Sequence, residues 1–204
     1  MTINELAAVI HENAVAHGWW DDERKAAEIV ALIHSEWSEA LEEARAGRPL
    51  VWYMCSTCED EGPCVVDANA AMACGFDLAG KKPEGVAVEL IDGCIRILDA
   101  FDFFHVDFNG EKTIDELMDD AKEQVLSKGS DISTVVAYLH YETSMLFLAS
   151  EYKRVHDLPP AAFLIGALGV AFSWVREQGP DPMTILLEKH EYNKTRPYKH
   201  GKKF

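Results

Sequence analysis

The stretch Ile29-Val-Ala-Leu-Ile-His-Ser-Glu-Trp-Ser-Glu-Ala-Leu41 decides the fold. Ile29, Leu32, Ile33, Trp37, Ala40 and Leu41 recur at three- and four-residue spacing, which puts them on one face of an α-helix. Glu36 and Glu39, three apart, share that core-directed face. A second segment repeats the device: Val88, Ile91, Ile95 and Leu98 form an apolar stripe, and Glu89 and Asp92 sit three apart within it. A lone E-x-x-E is ordinarily a solvated helix face, since Glu favours helices. Acids inside an apolar stripe must be neutralised, paired with bases or gathered around a hard cation, because an unpaired ionised carboxylate is too costly to bury. Two such helices side by side would set four carboxylates around one cavity. An oxygen-only donor set of this kind suits magnesium or manganese, which keep waters for substrate phosphates.

Outward from these segments the helical period dominates, and no alternating strand pattern of useful length interrupts it. The spacing predicts a first helix from Ile3 to His17, ended by Gly18, and a second that starts after an Asp21-Asp22 cap and stops near Gly47. Residues 48–83, rich in Gly, Pro and Cys, read as an irregular insert. A helix resumes over Glu84 to Phe104, and Thr113-Ile-Asp-Glu116 has capping-box form for another that ends by Gly129. Asp131 caps the next, to about His156. Pro159-Pro160 and Asp181-Pro182 open the last two, the first of which is the least polar and is expected at the centre. The predicted fold class is all-α: a helical bundle with a four-helix catalytic core in one domain over residues 1–204, with a basic tail over 195–204.

A short internal echo accompanies this pattern. Leu32-Ile-His34-Ser-Glu36-Trp-Ser38 and Tyr138-Leu-His140-Tyr-Glu142-Thr-Ser144 place His, Glu and Ser at matching offsets, but Ala161 to Val175 lacks acids where the first half has Glu89 and Asp92. The expectation is an internal duplication with one active half and one scaffold half.

Composition narrows the function classes. The chain of 204 residues is 48% hydrophobic, enough for a real core, and its formal charge of −16 argues against a nucleic-acid polymer as partner, since phosphate backbones are bound through Lys and Arg. Met1 to Ala16 lacks the basic start and apolar block of a secretory signal, and the longest apolar run, Ala161 to Val175, is too short to span a bilayer. A cytoplasmic protein with no membrane partner is the expectation. Of five cysteines, Cys55, Cys58, Cys64 and Cys74 cluster in the insert, which fits free thiols or a structural zinc better than a secreted disulfide framework. Gly75 to Lys82 nearly spells a phosphate loop, but it lacks the Ser or Thr that would meet magnesium, and Pro83 stands where the helix should begin.

Three blocks in order carry a family resemblance: Ile33-His-Ser-Glu36-Trp-Ser-Glu39-Ala-Leu-Glu42-Glu43, then Lys82-Pro-Glu-Gly-Val-Ala-Val-Glu89-Leu-Ile-Asp92-Gly-Cys-Ile-Arg96-Ile-Leu-Asp99, then the segment from Lys189 to Lys203. Together they resemble the MazG-like nucleotide pyrophosphohydrolases of the all-α NTP pyrophosphatase (dimeric dUTPase-like) superfamily. The resemblance implies hydrolysis of a nucleoside triphosphate between its α- and β-phosphates, giving a monophosphate and pyrophosphate. It implies that Glu36, Glu39, Glu89 and Asp92 hold Mg2+, with Mn2+ able to substitute, and that Glu36 and Glu39 are catalytic. Glu39 could both ligate and accept the attacking water's proton, with Glu43 one turn on and Glu42 offset from that face. It also implies a homo-oligomer, dimer or tetramer, because related bundles complete their sites by dimerisation, although the echoed second half could supply partner helices within one chain. The insert between the two carboxylate motifs departs from the family pattern and bears on substrate choice.

Six bases, Lys189, Lys194, Arg196, Lys199, Lys202 and Lys203, fall in the last 16 positions of this acidic chain. Arg grips phosphate bidentately and Lys as a point charge. With the matching tail segment, Lys189, Asn193, Arg196, Lys199 and His200 are the expected phosphate-side contacts, and Trp20, of the Trp19-Trp20 pair, is the expected stacking surface for a base. His34 is expected to be a hydrogen-bonded supporting residue. Asp99 would extend the metal site or, more simply, pair with Arg96 at the helix surface. The competing function class is a zinc-stapled helical interaction module without activity; a di-iron bundle would want two E-x-x-H motifs, which the chain lacks.

Overall fold

The computed structural model describes residues 1–55, 64–67, 81–106, 112–122, 131–152 and 158–201. These residues hold seven α-helices: α1 (Ile3–Ala16), α2 (Ala26–Arg45), α3 (Val86–Asp99), α4 (Ile114–Lys122), α5 (Ile132–Glu151), α6 (Pro160–Glu177) and α7 (Pro182–Lys194), followed by a 3-10 turn, Tyr198–Gly201. The bundle is all-α, and no described helix is long and apolar enough to cross a membrane.

Local chemistry sets most helix starts. Thr2 and Glu5 form a reciprocal capping box on α1, and Thr113 and Glu116 form another on α4, each side chain bonding the other's backbone N–H. The Asp131 and Asp181 carboxylates accept from the N–H of Thr134 and Thr184, and Pro182 takes the first turn of α7. Two starts differ from the sequence expectation. The cap of α2 is Lys25, which makes no side-chain cap bond, and Asp21 and Asp22 instead accept hydrogen bonds from Tyr198 and Lys199 of the tail. α3 starts at Val86 because Pro83 and Glu84 are drawn into a sheet, after which Gly85 turns the chain at φ +115°. A Cβ on Gly85 would lie 2.6 Å from the Pro49 carbonyl oxygen, so only glycine allows the loop leaving α2 to cross here.

That sheet corrects the reading of 48–83 as wholly irregular. Strands β1 (Trp52–Cys55), β2 (Cys64–Asp67) and β3 (Pro83–Glu84) form an antiparallel sheet in the order β2-β1-β3, with Trp52 opposite Asp67 and Glu84. Trp52 and Tyr53 are buried and reach back to the helices: the indole N–H donates to Glu43 at 2.7 Å and the Tyr53 hydroxyl to Glu188 at 2.8 Å. Cys55 and Cys64 are opposed in the register, while Cys58 and Cys74 lie outside the described residues, as do Lys202 and Lys203.

The helices form two three-helix units of the same pattern. α3 packs on α1 and α2, α6 packs on α4 and α5, and the units join through α2 against α5 and α3 against α6. The centre is therefore shared by the apolar α6 and the acid-bearing α3, which also carries α7. Besides the His-Glu-Ser echo, Thr2-Ile-Asn-Glu-Leu6 at the start of α1 matches Thr113-Ile-Asp-Glu-Leu117 at the start of α4. At the α2–α5 contact His34 stacks on His140 with Nδ1 atoms 2.7 Å apart, and the Trp37 indole donates to the Thr143 hydroxyl at 2.9 Å. One continuous apolar core, including Ile33, Trp37, Leu90, Ile91, Leu168 and Phe172, runs through both units.

Candidate functional site

α2 and α3 pack closely at Gly93, where the Trp37 ring occupies the space a side chain would need: a Cβ would stand 2.2 Å from it. This contact brings the two acid-bearing faces together. One carboxylate oxygen from each of Glu36, Glu89 and Asp92 lies within 4.8 Å of the others. Glu36 and Glu89 are only 4% and 5% exposed, and Asp92 is half-buried. Glu39 is exposed on the solvent side of α2 and does not join this trio, although its charge is near enough to disfavour ionisation of Glu36.

Two bases serve the three acids. The Arg96 Nε donates to Glu36 at 2.5 Å, and the Lys189 ammonium sits 2.7 Å from Asp92 while also donating to the Pro83 carbonyl at 3.3 Å. Burial opposes the charge on both, yet the acids around them prevail and raise both pKa values. Glu89 is the acid left over. Burial, reinforced by Asp92 and Glu36 and only partly offset by Lys189, pushes its pKa up to about 8. Burial likewise raises Glu36, against the pull of Arg96. An oxygen donor set with one more acid than bases fits a hard divalent cation, whose charge would satisfy the surplus carboxylate.

A cavity opens beside the trio, between α1, the α1–α2 turn, α3 and α7. Glu36, Asp92, Arg96 and Asp99 line it on one side, and Trp20, His190, Asn193 and Arg196 line it elsewhere. Trp20 is held by its indole N–H, which donates to Asp99 at 2.9 Å; His11 meets the same carboxylate at 2.9 Å and stands edge-on to the indole, while Arg24 covers the ring at 5.5 Å. The Asp99 bond raises the His11 pKa. Asp99 thus positions Trp20 instead of pairing with Arg96, whose guanidinium turns to Glu36 across 60 residues of chain. Among the described residues, His190, 4% exposed, has no hydrogen-bond partner for its Nε2, and the Asn193 side-chain oxygen has none either. Buried polar atoms of this kind are costly unless a ligand or water meets them.

The expected site residues therefore divide. Glu36, Asp92, Trp20, Asn193 and Arg196 face one cavity, and Glu89 lies behind them within reach of the Glu36 and Asp92 carboxylates. Lys189 is within the core, 1% exposed, as the counter-ion of Asp92. Lys199 lies apart, paired with Asp22 at 2.7 Å, with its backbone N–H on the His17 carbonyl. There the Tyr198 ring fills the space over Gly18, at φ +78°, where a Cβ would come within 2.0 Å. The backbone of His200 belongs to the 3-10 turn and its side chain lies outside the described residues. Arg96 and His190 were not expected in the site; Arg96 was legible in principle, one turn beyond Asp92 on the same face. No protein-family model, curated protein or solved structure matches the chain.

Proposed function

We propose that the protein is a Mg2+-dependent nucleoside triphosphate pyrophosphohydrolase, cleaving between the α- and β-phosphates to release a nucleoside monophosphate and pyrophosphate. The observation that carries the reading is the convergence of Glu36, Glu89 and Asp92, two of which, Glu36 and Asp92, line a cavity whose other walls offer an indole, an amide and a guanidinium. Glu36, Glu89 and Asp92 would hold the metal, with Glu39 exposed one turn along α2; bound magnesium or manganese would supply charge neutralisation of the phosphates and acidification of a water.

The chain's own residues suit the rest of the task. Trp20, locked by Asp99 and His11, offers a rigid face for a base to stack on. Arg196 and the Asn193 amide reach the same cavity from α7 and the segment after it, and can orient a phosphate chain and a sugar or base edge. Glu39, exposed beside Glu36, is free to take a proton from an attacking water. α2 packs against α5 of the same chain, so the echoed second unit can supply a partner helix within one chain, and the self-association that the resemblance implies would use another surface.

A panel of canonical and modified nucleoside triphosphates, assayed for pyrophosphate with magnesium and with manganese, tests the reading. Glu36→Gln and Asp92→Asn are expected to abolish release, and thermal melts of each variant report folding, because each removes the carboxylate partner of a base, Arg96 or the buried Lys189. Unchanged turnover in either variant would contradict the metal assignment. Arg196→Ala is expected chiefly to weaken substrate binding.

A further inference from the structure

Arg96 is the one base of the cluster that faces the cavity. Its guanidinium is held by Glu36, yet about a third of its side chain, 34%, remains exposed, and it lines the cavity with Asp92, His190 and Arg196. Lys189 differs. It is anchored from the core side by Asp92 and the Pro83 carbonyl and is essentially without exposure. The two bases thus have different freedom: displacing Lys189 would strand a buried ammonium, whereas Arg96 can turn into the cavity without crossing the core.

We propose that Arg96 is an exchangeable counter-ion that holds Glu36 until a divalent cation takes that carboxylate, and then presents its guanidinium to the phosphate groups of the ligand. This rests on the pyrophosphohydrolase reading and adds a residue to it. A carboxylate oxygen gripped at 2.5 Å by a guanidinium is a poorer ligand for a cation, so Arg96 competes with metal when no phosphate is present. Once Glu36 is taken, the guanidinium loses its partner, and a planar five-donor group then faces the cavity. Phosphate oxygens are the acceptors that match it best. The His190 Nε2 in the same wall, without a hydrogen-bond partner among the described residues, gives independent reason to expect a polar ligand at this end. Arg96 thereby couples the two ligands: phosphate binding rewards the state in which metal holds Glu36.

The test is calorimetric titration of the full chain, first with Mn2+ alone and then, at saturating Mg2+, with a triphosphate whose α,β bridge is a methylene. Arg96→Met is expected to bind Mn2+ alone about tenfold more tightly than the wild type and the methylene analogue at least tenfold more weakly. Arg96→Lys, which keeps the charge but not the fork, is expected to restore wild-type Mn2+ affinity and only part of the analogue affinity. Thermal melting of each variant reports folding, and the Lys variant carries the test if the Met variant does not fold. Loss of both affinities in a folded variant would make Arg96 a structural pair for Glu36 and overturn the proposal. Tighter Mn2+ with unchanged analogue binding would make it a fixed counter-ion, which overturns it as well. No Mn2+ binding by the wild type would overturn the metal reading itself, and this proposal with it.

Discussion

Glu89 is where the electrostatics of the site can be read most directly. A buried carboxylate with a pKa near 8, against an ordinary 4.5, keeps its proton at neutral pH while the unfolded chain has already lost it. Between those values the unfolded state binds fewer protons, so Glu89 lowers the stability of the cation-free protein as pH rises from about 4.5 to about 8 and has no further effect above that. Glu89→Gln is therefore expected to stabilise the cation-free protein at pH 8, by about 2–4 kcal/mol after allowing for relaxation around the site, and to make little difference near pH 4. Thermal melts of both proteins across this range check the sign. A variant less stable than wild type at pH 8 without metal would mean that Glu89 is ionised and satisfied by Lys189. Residue types and spacing grouped Glu36, Glu89 and Asp92, because acids inside apolar stripes have few explanations, but they also included Glu39, which faces solvent. The same reasoning could not assign Arg96 to Glu36 or bury Lys189 beside Asp92, since both pairings join segments far apart in the chain.

At the scale of elements, the site depends on how closely α2 and α3 approach. Trp37 against Gly93 sets that distance, and a methyl group at Gly93 would collide with a ring that is itself fully buried and hydrogen-bonded to Thr143. Gly93→Ala is expected to cost about 1–3 kcal/mol of stability and to lower turnover beyond what the lost stability explains, by prising Glu36 from Glu89 and Asp92. Comparing thermal unfolding with pyrophosphate release well below the melting temperature separates the two effects. Helix positions were largely legible because their signals are local: capping boxes, Asp N-caps, and Pro in the first turn. The short sheet was not. β1 has four residues, and consecutive Trp52 and Tyr53 are both buried, so no alternation marks it as a strand. The absent cap of α2 has a tertiary cause, because Asp21 and Asp22 are occupied by Tyr198 and Lys199 from the far end of the chain.

At the scale of the whole molecule, the two three-helix units give the acids their asymmetry. Glu142 of α5 stands where Glu36 stands in α2, but it faces Gly166 of α6, where an added Cβ would lie 3.3 Å from its carboxyl group, and among the described residues it belongs to no cluster of three acids. Burial raises its pKa against the hydrogen bond from Tyr138, so it reads as a tucked-in carboxyl group with a local partner. On this account the second unit is scaffold. Glu142→Gln should leave pyrophosphate release within about twofold of the wild type, where Glu36→Gln abolishes it; equal losses would mean that both units carry chemistry. The echo of His, Glu and Ser hinted at this arrangement in the sequence, and the matched Thr-Ile-Asx-Glu-Leu starts of α1 and α4 strengthen it once the contacts of each unit are compared.

The central claim is that Glu36, Glu89 and Asp92 are the cation cradle of a triphosphate site. The most direct measurement is a crystal structure of the protein grown with Mn2+ and an α,β-methylene triphosphate, with the metal located by its anomalous scattering. The account predicts a manganese peak ligated by all three carboxylates, with phosphate oxygens between it and the Arg96 and Arg196 guanidiniums. Contradiction would be a cluster without manganese, in which Arg96 still holds Glu36 and Lys189 still holds Asp92 while the analogue binds elsewhere.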